Sequence, residues 1–153
     1  MFQRRLIVDE VAVNYTAEEG ASVPEYKTEG SAGADLCAFI RSDITLAPGE
    51  RLAIPTGIRI ELPPGYEAQV RPRSGIALEK GVTCLNSPGT VDSDYRGELK
   101  VILINLGLES VTLRNGDRIA QIVIAPISRA RFVRASILGA TKRGSGGFGS
   151  TGK

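Results

Sequence analysis

Short apolar runs separated by turn residues follow one another along the whole chain, and no stretch shows the apolar spacing of a full-length amphipathic helix. The pattern predicts a mainly β protein. Pro48-Gly49 parts residues 44–46 from 51–54, Pro63-Pro64-Gly65 parts 56–62 from 66–71, and Asn115-Gly116 parts 111–113 from 118–124. Each is a candidate hairpin or a corner between sheets. Many short strands joined in this way favour a sandwich or jelly roll over an open sheet. One short helix is expected from Ser74 to Lys80, with Ser74 at its N-terminal end and Gly81 placed to stop it; Ala77 stands where a complete capping box has an acid. Residues 101–104 and 119–124, the latter around Gln121, are apolar on both faces of a strand, so something must cover both sides. A second sheet on one side and a neighbouring subunit on the other would do so, which predicts an oligomer without counting its members.

Composition narrows this picture. A chain of 153 residues, 42% hydrophobic and 24% charged, has the size and balance of one globular domain with a core. The Gly/Ser-rich stretch 142–153 has no periodic apolar face and is expected to be a flexible tail on a domain of residues 1–141. No apolar run is long enough to cross a bilayer and no cleavable apolar leader opens the chain, so a cytoplasmic protein without membrane contact is expected. Cys37 and Cys84 lie in different apolar runs, without the paired spacing of a zinc or redox motif, and read as two buried free thiols.

The chain contains no histidine, which removes every mechanism built on imidazole as base, relay or metal ligand. Carboxylates must do any base catalysis, and a metal, if used, is expected to be a hard cation such as Mg²⁺ on oxygen ligands. The net charge of +2 is too small to suggest nucleic-acid binding. Its distribution is uneven: no acid follows Asp117, while Arg129, Arg131, Arg134, Lys142, Arg143 and Lys153 do. That arrangement suits an anionic ligand.

Several segments carry candidate chemistry. Arg71-Pro72-Arg73-Ser74-Gly75 sets two guanidinium groups, a hydroxyl and a glycine at the entrance to the expected helix, where free N–H groups favour an anion; an ordinary capped helix with solvated arginines fits equally. The loop from Asn86 to Gly97 holds Asp92, Asp94 and Tyr95 among residues that also make turns. Asp92 or Asp94 is the natural acceptor of a proton from an attacking water, and spacing does not choose between them. Asp35 stands among small residues just before an apolar strand, and the Gln121 amide needs a partner, either backbone or ligand. Phe148 is an aromatic ring in a flexible tail, suited to stacking on a nucleobase, with Arg143 nearby for a terminal phosphate.

Five segments in this order resemble the five motifs of the trimeric dUTP diphosphatases: Ala32-Gly33-Ala34-Asp35-Leu36; Arg73-Ser74-Gly75 with Ala77; Asn86 through Glu98; Gly116 through Gln121; and Arg143-Gly144 with Gly147 through Gly152. Val91 stands where the family often has isoleucine. The resemblance implies a β jelly-roll homotrimer with active sites between subunits, each closed by the tail of another subunit. It implies hydrolysis of dUTP to dUMP and pyrophosphate, limiting uracil in DNA and supplying dUMP for dTMP synthesis. Asp92 becomes the base that orients water on the α-phosphorus, and Asp94 becomes mainly structural. Arg73, Ser74 and Gly75 hold phosphate oxygens with help from Gln121, and Asp35 holds Mg²⁺ through coordinated waters. Asn86, Thr90 and Val91 belong to the uracil-reading loop, Tyr95 packs against deoxyribose, and Lys100 lies near that pocket. Arg143, Phe148, Gly149, Ser150 and Thr151 of the tail close over the nucleotide. A dCTP deaminase of related fold is the enzymatic rival, and a nucleotide-switched binding protein with a basic tail is the rival of another class. The residues 90–95 and the Phe148 tail argue against the deaminase.

Overall fold

A computed structural model describes residues 10–149. Its strands are β1 (Asn14–Ala17), β2 (Ala34–Cys37), β3 (Ile44–Leu46), β4 (Arg51–Pro55), β5 (Ile58–Glu61), β6 (Tyr66–Arg71), β7 (Val82–Cys84), β8 (Gly89–Val91), β9 (Lys100–Asn105), β10 (Val111–Leu113) and β11 (Arg118–Pro126); the helix α1 (Ser74–Lys80) lies between β6 and β7. They form a four-stranded sheet in the order β2-β11-β6-β8, a three-stranded sheet β4-β9-β7, and the two-stranded pairs β1-β5 and β3-β10. Every pairing of named strands is antiparallel. Among the described residues the protein is all-β with one short helix, as the turn spacing predicts.

The three turn signals resolve one way. β3 pairs with β10 while β4 pairs with β9, β5 pairs with β1 while β6 pairs with β11 and β8, and β10 and β11 lie in different sheets. All three turns are therefore corners that pass the chain from sheet to sheet, and none closes a hairpin. Gly49, Gly65 and Gly116 supply the positive φ at these corners, at 79°, 89° and 84°.

The helix spans the residues expected of it, with one correction at its start. Arg73, in extended conformation, occupies the cap position, and no side-chain hydrogen bond caps the helix. Ser74 is thus the first helical residue, and its hydroxyl is not spent on capping. Gly81 ends the helix in the left-handed region at φ 68°, its N–H turned back to the carbonyls of Ala77 and Ile76.

The core lies between the sheets and draws on nearly every strand, with Leu36, Leu46, Ile54, Ile58, Val101, Leu103, Leu113 and Ile119 almost completely buried. Alternate residues of β9 are buried, and Ile102 and Ile104 between them are only half covered. In β11, Val123 and Ile124 are likewise half covered. The second faces of the two doubly apolar strands are thus incompletely covered within one chain. Two buried polar side chains are both satisfied: Thr56 Oγ1 donates to Leu99 O at 2.7 Å, and Asn105 Nδ2 donates to Leu46 O at 2.9 Å and Glu109 O at 2.8 Å. Among the described residues no helix is long and apolar enough to cross a membrane.

Candidate active site

The four-stranded sheet gathers segments that are far apart in sequence. Gln121 of β11 lies opposite Asp35 of β2 on one side and Arg71 of β6 on the other. Arg71 leads through Pro72 into Arg73 and the helix, so the aspartate, the arginine-serine-glycine segment and the glutamine converge. Asp35, Arg73, Ser74, Gly75 and Gln121 line one polar cleft, together with Lys27 and Arg118. On the outer edge of the same sheet, β8 places Thr90 beside Gln69 and Val91 beside Ala68. A second cleft forms there from Asn86, Thr90, Val91, Asp92, Tyr95 and Lys100, over an apolar wall including Val70 and Ile102. Its volume of about 360 Å³ lies in the range of small-molecule sites.

In the polar cleft both oxygens of Asp35 are engaged. Arg73 Nε donates to Oδ1 at 3.1 Å and Arg118 Nη1 to Oδ2 at 3.2 Å, while Arg73 Nη1 also donates to the carbonyl of Arg118 at 3.2 Å. The carboxylate side chain is 14% exposed, and through it the two guanidinium groups are held at the cleft wall. Arg118 was not singled out from sequence as a site residue. Its signal was there, a cation three residues before Gln121 on the same strand, but only folding pairs it with Asp35. Gln121 Nε2 donates to Pro72 O at 3.0 Å, so the amide finds a backbone partner. A side chain at Gly33 would run into the Gln121 amide oxygen, so the glycine leaves room for it.

The loop after β8 carries both aspartates. Asp92 lines the cleft with Asn86 and Tyr95. Both aspartates line a neighbouring cleft with Tyr66 and Arg129, and Asp94 also lines one with Asn14 and Glu61. Both carboxylates are exposed; what distinguishes them is that Asp92 alone of the two lines the cleft with Asn86 and Tyr95. Tyr95 curls back so that its hydroxyl donates to Glu98 O at 3.1 Å, and Gly97 lies directly beneath the ring, where any side chain would collide with the phenol. Glu98 in turn accepts from Gly57 N–H at 2.8 Å and fixes the loop end to the turn just before β5.

Residues 19–152 match the dUTPase family. The chain belongs to that family. It is 57% identical over 136 residues to the deoxyuridine 5'-triphosphate nucleotidohydrolase of Rhizobium etli, a match covering 88% of this chain and 87% of the relative. The protein of the same name from Treponema denticola is 62% identical over 135 residues, covering 88% and 94%. Among solved structures, the dUTPase of Staphylococcus bacteriophage 80alpha with dUPNHPP superposes with a TM-score of 0.84 at 24% identity, over 93% of this chain and 99% of that one. The dUTPase of phage phi11 of S. aureus, described as coordinating a structural Mg(II) ion, does so with a TM-score of 0.76 at 20% identity, over 84% and 99%. At such identities the structural likeness establishes the shared fold, and the family's jelly roll accounts for the distribution of short strands over several sheets.

Not every residue that the family motifs point to is brought together. The clefts holding Asp35 and Asp92 have no lining residue in common. Arg143, Phe148 and Gly149 line neither of them. Arg143 Nε instead donates to Gly146 O at 2.8 Å, and the Phe148 ring is fully exposed with a backbone φ of 51°. Ser150 and Thr151 lie outside the described residues.

Proposed function

We propose that the chain is a dUTP diphosphatase that hydrolyses dUTP to dUMP and pyrophosphate. One observation carries the reading: relatives about 60% identical over most of the chain are named for this hydrolysis, and the motif residues from Asp35 to Gln121 line its two clefts. In this reading the cleft with Asn86 and Tyr95 takes uracil and deoxyribose, and Asp92 at its mouth takes a proton from the attacking water. The water oxygen bonds to the α-phosphorus, the bond from that phosphorus to the α,β-bridging oxygen breaks, and pyrophosphate leaves with the negative charge. Arg73, Ser74 and Gly75 receive phosphate oxygens from the other cleft, so catalysis is positioning and charge stabilisation. Tyr95 packs against deoxyribose, and Lys100 stands at the base-and-sugar cleft.

In this reading the two clefts, which share no lining residue in one chain, are brought together across a subunit interface, so that one nucleotide engages both where two copies meet. A homotrimer, with the tail residues Arg143, Phe148, Gly149, Ser150 and Thr151 of another copy folded over the nucleotide, satisfies this. It also covers the half-exposed faces of β9 and β11.

Mg²⁺ fits the donor set. Among the described residues no three His, Cys, Asp or Glu side chains gather into a cage. A cation held chiefly by phosphate oxygens and waters needs no such cage. Asp35, with one arginine hydrogen bond on each oxygen, keeps lone pairs to accept from those waters. When bound, the ion neutralises phosphate charge. The free thiols Cys37 and Cys84 suit a cytoplasmic location.

The test is release of pyrophosphate from dUTP, dTTP, UTP and dCTP, with and without a chelator. Turnover is expected on dUTP alone at a substantial rate and is expected to fall on chelation, while ammonia from dCTP would reverse the assignment in favour of a deaminase. Asp92→Asn should bind nucleotide and lose turnover by roughly 10²–10⁴-fold. Unchanged turnover removes Asp92 from the mechanism.

A further inference from the structure

We infer that Arg96 is a positioning residue that clamps the loop bearing Asp92 and Tyr95 to the end of β5, an inference that rests on the hydrolysis proposed above. Residues 92–97 belong to no strand, and the loop's own backbone supplies one turn bond, from Tyr95 N–H to Asp92 O at 3.2 Å. Arg96 supplies what the backbone does not. Its Nη1 donates to Ser93 O at 2.7 Å and to Tyr95 O at 3.0 Å, and its Nη2 reaches Glu61 Oε1 at 3.3 Å. The other oxygen of Glu61 accepts from Asn14 Nδ2 at 3.1 Å, and Asn14 is the residue paired with Glu61 across β1 and β5.

The two carbonyls drawn to a single guanidinium nitrogen stand on either side of Asp94. Holding both fixes the curvature of the turn, and with it the directions of Asp92 immediately before and of Tyr95 itself. Arg96 lines a cleft with Asn14, Glu61 and Asp94, so it acts on the reacting groups through the backbone. A guanidinium fork can serve carbonyls and carboxylate together; a lysine ammonium on a flexible stem holds this geometry less well. The Arg96–Glu61 pair is about half exposed on both sides, at 53% and 54%, and such pairs add little to folding stability. The clamp therefore matters to turnover far more than to melting.

The test uses Arg96→Ala and Arg96→Lys in the full chain, with kcat and KM for dUTP measured separately by pyrophosphate release, alongside the melting temperature and amide exchange at Tyr95. A loop displaced by about 1 Å lowers kcat on the order of a hundredfold. The expected result is a kcat loss approaching that size in Arg96→Ala and a smaller one in Arg96→Lys, with KM and melting temperature near wild type and faster exchange at Tyr95. Millimolar guanidinium should restore part of the Arg96→Ala rate and none of the Asp92→Asn rate. Wild-type kcat and exchange in both variants, or a kcat loss that only tracks a lower melting temperature, overturns the clamp. If the unmodified protein releases no pyrophosphate from dUTP, the hydrolysis itself falls, and exchange at Tyr95 then decides the clamp alone.

Discussion

Tyr95 lies over Gly97 with no space between them, because a Cβ on the glycine would overlap the phenol. The glycine leaves room for the ring, which lines the cleft proposed for base and sugar. Gly97→Ala should push the phenol out of place and break its bond to Glu98 O. Since the ring is proposed to pack against deoxyribose, where a 2'-hydroxyl would meet it, the ratio of kcat/KM for dUTP over UTP should fall by roughly tenfold or more, and an unchanged ratio would place sugar selection elsewhere. Cys84 makes a different point about burial. Desolvation pushes its thiol up from 9.0 to about 11. An unfolded chain ionises this thiol above pH 9 while the fold keeps it neutral, so its contribution lowers stability as pH rises from 9 to 11 and then levels off. Urea unfolding should show wild type losing stability more steeply across that window than Cys84→Ala. At pH 8, a thiol reagent should reach Cys84 only on unfolding.

At the scale of elements, strand ends are tied by single side chains. Asn105, fully buried at the end of β9, donates to Leu46 O and Glu109 O and accepts from Gly107 N–H at 2.9 Å. It joins the three-stranded sheet to β3 and to the turn before β10. Asn105→Leu leaves these backbone groups unpaired at about 1–3 kcal/mol each, so chemical denaturation should show a loss of roughly 3 kcal/mol or more; a loss under about 1 kcal/mol would mean that water replaces the amide. The four-stranded sheet works similarly on the site. Its register, Asp35 beside Gln121 beside Arg71, brings together residues dozens of positions apart, and Asp35 and Gln121 line one polar cleft with Arg73. The helix was legible in the sequence because its ends are marked locally, by Ser74 at its start and Gly81 after it, even though Ser74 proves to be the first helical residue and not the cap. Strand pairing was not. Pro48-Gly49, Pro63-Pro64-Gly65 and Asn115-Gly116 mark where the chain turns, while the sheet it joins next depends on contacts with distant strands.

For the whole molecule, the separate clefts yield a complementation test. Arg73→Ala chains keep an intact base-and-sugar cleft, and Asp92→Asn chains keep an intact phosphate cleft. Each alone should be nearly inactive, and after unfolding and refolding together about a quarter of inter-subunit sites should combine two intact halves. Recovery near that level supports a site shared between copies; no recovery from a correctly assembled mixture points to a site within one chain. The sequence by itself determined the β class, the lone helix, the reliance on carboxylates in a chain without histidine, and the motif segments, because these depend on residue type and near neighbours. It left Asp92 and Asp94 chemically equivalent, gave Gln121 no partner and Arg118 no role. Only the tertiary structure decided those points, by setting Asp92 but not Asp94 on the cleft with Asn86 and Tyr95 while both border the cleft of Tyr66 and Arg129, bringing Pro72 O to the Gln121 amide, and pairing Arg118 with Asp35 across 83 residues of chain. Hydrogen bonds and ion pairs act over a few ångströms in space, and sheet register, set by the packing of the whole core, determines which residues come that close.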